Sequence, residues 1–142
     1  MSGSMATRAR HERTAELAST PSSVTLARHL VRDDLTGRGV APWLIEDALV
    51  VVSELMGNAV RHARPLAVGD SRGRVRLQWQ VDDRHRIHVE VTDGGGADEP
   101  HVEPATLGDM GGRGLAIVAA IAADWGVVSC DHEVTVYAVV GD

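Results

Sequence analysis

The chain has 142 residues and a formal net charge of −6. That is long enough for one domain with a real core, and the charge gives no global attraction to phosphate backbones or anionic lipid. All 14 basic residues are arginine, so a P-loop, a Schiff base and a Ser–Lys pair are excluded for want of lysine. Cys130 is the only cysteine, which excludes an internal disulfide and a cysteine metal cluster. Its apolar neighbours Val127 and Val128 suggest a small buried residue. No secretory core opens the chain, and the apolar run 115–123 is too short to span a bilayer. The expectation is a soluble, cytoplasmic protein that binds neither membrane nor nucleic acid.

Residues 1–9 read as a polar, disordered tail, and 10–142 as one folded domain. His11 to Ala18 suit a first strand. Ser22 or Ser23 can cap a helix in which Val24, Ala27, Leu30, Val31 and Leu35 fall at helical spacing. Pro42 suits the first turn of a second helix that stops before Pro65. Alternation over 74–81 and 87–92, with the turn Asp82-Asp83-Arg84 between, predicts a hairpin. Residues 93–112 carry no periodicity. Leu115 to Ala123 predict a third helix, and 127–130 with 134–140 a closing hairpin. The order strand, helix, helix, hairpin, loop, helix, hairpin predicts an α+β two-layer sandwich, its mixed, mostly antiparallel sheet covered by helices on one face.

Three stretches carry chemistry. On the second helix, Glu54, Asn58 and His62 are spaced four apart and share a side, with Arg61 beside them. Taken alone this row is most often a solvated stripe. Asp93-Gly94-Gly95-Gly96 follows a strand, so a carboxylate can accept from an exocyclic amine while the backbone approaches closely. A plain glycine turn is the bland alternative. Gly111-Gly112-Arg113-Gly114-Leu115 opens the third helix, where unpaired N–H groups suit an anion or simply form a hinge and cap. The dinucleotide fingerprint fails, because Ile117 stands at its third glycine. Trp43, Trp79 and Trp125 read as core or interface, and Arg72, Arg74 and Arg76 as the solvent face of a strand.

In this order, Ser53-Glu54-Leu55 with Asn58-Ala59-x-x-His62-Ala63, Asp93-x-Gly95, Gly112-Arg113-Gly114-Leu115 and Asp124-Trp125-Gly126 resemble the GHKL superfamily of ATP-binding domains. The likeness is closest to the bacterial anti-sigma-factor serine kinases and their actinobacterial single-domain relatives, and it covers residues 10 to 140. It implies the Bergerat-type fold, ATP and Mg²⁺ as cofactors, and a role in transcription regulation. By this resemblance Glu54 is the general base, and Asn58 the Mg²⁺ ligand between the phosphates. Arg61 and His62 lie near the phosphates, with Arg113 adding charge. Asp93 reads the adenine amine with Gly95 against the ring. Gly112, Gly114 and Leu115 hold the phosphates, and 97–111 form a lid. The implied partners are a sigma factor, a protein antagonist whose Ser or Thr is phosphorylated, ATP or ADP, and a second copy of the chain. The alternative is a non-catalytic interaction module on the same fold. A histidine-kinase ATP domain is disfavoured, because Glu54 is the acid of the serine-kinase type. Two departures stand out. Ala97 replaces the second glycine of the longer Asp-x-Gly-x-Gly form. Gly57 sits mid-helix at a cost of about 1 kcal/mol relative to alanine; close packing, close ligand approach and a weakened helix are all open readings.

Overall fold

The computed structural model describes residues 12–96 and 113–142. Among the described residues, five strands and three α-helices follow in the order β1 (Arg13–Ala18), α1 (Ser22–Gly37), α2 (Pro42–His62), β2 (Arg74–Val81), β3 (Ile87–Asp93), α3 (Arg113–Ile121), β4 (Asp124–Cys130) and β5 (Glu133–Val140), with a 3₁₀ turn at Gly69–Ser71. The sheet order is β1-β2-β3-β5-β4, and every neighbouring pair is antiparallel.

Period-two alternation sets the two faces of the sheet. Leu77, Trp79, Val89, Val91 and Ala138 turn inward and join one apolar core with Ala27, Val31 and Leu35 of α1 and Ala48, Leu49, Val52, Leu55 and Met56 of α2. α2 is the central helix: it packs on β2, β3 and β5, and also against both α1 and α3. The outer face is polar. There Arg76 lies between Glu16 (3.2 Å) and Glu133 (3.5 Å), and Thr92 shares a hydroxyl hydrogen bond of 2.7 Å with Thr135.

Asp34 fastens the helix layer to the sheet. Its carboxylate accepts from the Trp79 indole N–H (2.8 Å) and Arg38 Nε (2.9 Å), and pairs with Arg13 at 3.5 Å. Trp79 is otherwise buried, so this is the polar exit that a buried indole requires.

Five expectations need correction. Neither Ser22 nor Ser23 caps α1 through its side chain: the cap position is Pro21, with no side-chain bond. Its residues instead stack hydroxyls, with Thr20 Oγ1 at 3.1 Å from Ser22 and 3.4 Å from Ser23. β1 begins at Arg13, and His11 lies outside the described residues. β4 begins at Asp124, three residues early, because the Tyr137 ring on β5 lies across Gly126: a methyl there would sit 2.6 Å from the phenol oxygen. Cys130 is exposed. Its buried near neighbour Val127 faces the core, whereas Val128 and Cys130 point outward. Trp43 is 60% exposed, so of its two readings, core or interface, the core one fails.

Asp34→Ala should lower stability by about 2 kcal/mol, because the Trp79 N–H is left buried without an acceptor. Urea denaturation measures it; an unchanged midpoint would remove Asp34 from this role.

Candidate functional site

The site is built where the C-terminal half of α2 lies on β3. Glu54, Gly57, Asn58 and Arg61 share one helix face by their spacing. Glu54 and Asn58 are half-buried, whereas Arg61 and His62, at the end of the helix, are exposed. Both polar atoms of the Asn58 amide, Oδ1 and Nδ2, are buried and have no hydrogen-bond partner among the described residues. Such a pair costs free energy unless a ligand satisfies it. A neutral carboxamide oxygen is a donor that Mg²⁺ accepts, so this residue fits the expected ion. Beside it, Arg28 of α1 donates to Ser53 Oγ (2.6 Å) and to the Leu49 carbonyl (3.3 Å), fixing α1 to α2 next to Glu54.

Asp93 ends β3 with its side chain buried. Its one partner in the described structure is the Gly95 N–H, which donates to Oδ1 at 2.7 Å. Burial raises the Asp93 carboxyl to about 6, and the Gly95 bond offsets only part of that rise. A carboxylate in this state has lone pairs to spare for a donor brought by a ligand.

The loop after β3 is welded to the end of α2. The Arg64 N–H donates to the Gly95 carbonyl, and the Gly94 N–H donates to the Arg64 carbonyl, both at 2.7 Å. Gly94 must be glycine, because a methyl there would overlap the Pro65 carbonyl oxygen. Gly95 takes φ +92°, a left-handed conformation that glycine adopts without strain. Sequence reasoning missed Gly94 and the Arg64-Pro65 segment. Pro65 marked the helix end, but nothing local says that this end pairs with residues beyond a hairpin.

At the third motif, α3 opens at Arg113 and packs against α2 and β4. The Leu115 side chain is buried in the core, so only its backbone can face a ligand. Gly112 and the expected lid, 97–111, lie outside the described residues. The structure thus ties Gly94 and Gly95, next to Asp93, to the end of α2, the helix that carries Glu54, Asn58 and Arg61, and packs α3 against the same helix.

The sequence model of the histidine kinase-like ATPase domain matches residues 17–139. The chain belongs to that family. No curated protein matches it. Among solved structures, the SiaB–SiaC complex from Pseudomonas aeruginosa aligns with TM-score 0.68 at 14% identity, over 90% of this chain and 88% of that one. The RsbU and RsbW domains of Rv1364c from Mycobacterium tuberculosis align with TM-score 0.67 at 18% identity, over 90% of this chain and 31% of that one. This chain therefore spans about a third of the mycobacterial protein's length. These likenesses establish the GHKL-type fold. No helix among the described residues is long and apolar enough to cross a membrane.

Two outcomes follow. The folded state binds the Asp93 proton more tightly than the unfolded chain, so ionising Asp93 subtracts stability as pH rises from about 4 through about 6. Asp93→Asn removes that cost and should be more stable than wild type at pH 7 by roughly 2–3 kcal/mol. The gain should vanish near pH 4, and urea titrations across this range check it. Gly94→Ala, by contrast, should lose about 3 kcal/mol at every pH, read as a lowered melting temperature.

Proposed function

We propose that this protein binds Mg·ATP and transfers the γ-phosphate to a serine or threonine of a partner protein. The observation that carries the reading is the Asn58 amide, buried with both polar atoms unpartnered, on the helix face that also presents Glu54 and Arg61. Asp93 would accept from the adenine amine, with Gly95 against the ring. Asn58 would hold Mg²⁺, whose chemistry is to neutralise charge on the phosphates. Arg61, His62 and Arg113 would add positive charge, and the backbone of Gly112, Gly114 and Leu115 at the start of α3 would supply N–H donors. In the transfer step the partner's hydroxyl oxygen attacks the γ-phosphorus, the bond to the bridging oxygen breaks, ADP leaves, and the hydroxyl proton passes to the Glu54 carboxylate.

The partner is a small antagonist protein, the protein sequestered is a sigma factor, and the chain acts in the cytoplasm, in part as a dimer. The sequence resemblance to anti-sigma-factor serine kinases supports this, as does the likeness to SiaB, whose structure is that of a complex with a second protein. DNA is not a ligand in this reading. The boundaries follow as residues 10–142 for the kinase domain and 1–9 for a tail.

One observation favours the second reading, an interaction module that transfers nothing. Among the described residues no hydrogen bond or ion pair orients the Glu54 carboxylate, whereas activating bases are usually held by another group.

Two substitutions one helical turn apart decide between the readings. Asn58→Ala should weaken Mg·ATP binding in calorimetry and lower transfer with it. Glu54→Gln keeps the shape, so Mg·ATP should bind nearly normally while transfer to a cognate antagonist falls roughly 10²–10⁴-fold. Transfer by neither wild type nor variant, with ATP bound and the antagonist captured, establishes the interaction module. No heat of binding for folded wild type with ATP or ADP overturns both nucleotide roles.

A further inference from the structure

Gly57 lies in the middle of α2, where glycine is the least favourable residue after proline. It is buried. None of the three atoms nearest a methyl group placed on it belongs to a core side chain. Its three nearest atoms would all belong to the Arg61 guanidinium: Nη1 at 2.9 Å, Nη2 at 3.3 Å and Cζ at 3.4 Å. Arg61 is one turn further along the same face, and no carboxylate among the described residues pairs with it. The guanidinium therefore folds back over the bare helix backbone at Gly57. The next residue along the chain is Asn58, whose amide is the unpartnered group of the candidate site.

We infer that Gly57 is a positioning residue, the seat on which the Arg61 guanidinium lies so that it meets the phosphates of a bound nucleotide. The inference deepens the proposed nucleotide site and rests on it. It also gives the mid-helix glycine a reason: a planar, five-donor group lying along a helix needs the volume that a Cβ would fill. A side chain at 57 would lift the guanidinium away while leaving the fold intact, because the atoms displaced are the far end of a flexible side chain. An arginine held in place loses less conformational freedom on contacting phosphate than one that must be ordered from solvent.

The experiment is a double-mutant cycle of Gly57→Ala and Arg61→Ala in the full chain, read by calorimetry with Mg·ATP and with adenosine, and by thermal melting. Gly57→Ala should raise the melting temperature by roughly 2–4 °C through helix propensity. It should also weaken Mg·ATP roughly tenfold, the scale of one charge-assisted hydrogen bond. Adenosine, which carries no phosphate, should bind both proteins alike. In the Arg61→Ala background, Gly57→Ala should leave Mg·ATP affinity unchanged. Equal Mg·ATP affinity for wild type and Gly57→Ala, with wild type binding, overturns the seat and leaves the nucleotide site standing. An equal loss in the Arg61→Ala background, a loss shared by adenosine, or a lowered melting temperature assigns Gly57 to packing instead and also overturns it. Wild type that binds neither ligand overturns the nucleotide site and the seat together.

Discussion

Two backbone hydrogen bonds hold the candidate site together. The Arg64 N–H to Gly95 carbonyl and Gly94 N–H to Arg64 carbonyl bonds, each 2.7 Å, join the exit of α2 to the exit of β3. Apart from them, the helix carrying Asn58 and the strand ending in Asp93 are related mainly by apolar packing. Such packing is non-directional, whereas paired main-chain bonds fix position and angle. The requirement for glycine at 94 follows directly, since the Pro65 carbonyl occupies the space of its side chain. The same loop then turns the Gly95 N–H onto Asp93. One short segment thus secures the helix end, the strand end and the carboxylate between them.

The helix layer depends on α2 for the same reason of geometry. Its apolar residues Leu49, Val52, Leu55 and Met56 are fully or almost fully buried, so its rotation is set by the core. The opposite edge of the helix layer is fastened by Asp34, which receives Trp79, Arg38 and Arg13. With rotation fixed, Glu54, Gly57, Asn58 and Arg61 have no freedom to face elsewhere. The shared facing of this row is a by-product of a well-packed stripe elsewhere on the helix.

The element order, the antiparallel pairing and the helical face of the site were legible, because each rests on local periodicity. What was not legible rests on contacts across the chain. β4 extends back through Gly126, a poor strand residue by propensity, because Tyr137 of the neighbouring strand covers it. Cys130 looked buried from its neighbours, yet a strand sends successive side chains to opposite faces. Its outward position could be read only once the register against Glu133 was known. Within the candidate site, the roles proposed for Glu54, Asn58 and Asp93 came from the family resemblance that the motif order carries. The Arg64–Gly95 weld had no signal of its own, and for the Arg61 seat the mid-helix Gly57 was the one signal, its reading left open between close packing, close ligand approach and a weakened helix.

Asn58 and Asp93 share a physical condition that supports placing them in one proposed site. Each is a polar group placed out of water with fewer partners than it can use: the amide has none among the described residues, and the carboxyl has a single backbone donor and is held near pH 6 by burial. Neither arrangement is favoured by folding alone. They come from different elements, α2 and β3, so one local accident of packing does not produce both. A ligand that carries an amine at one end and a metal-bound phosphate at the other would relieve the two together. Binding would then stabilise the folded state by more than its contact area suggests, because it removes two standing penalties as well as adding contacts. On the proposed reading, the free protein carries both penalties, and that deficit is the structural cost of keeping the site ready.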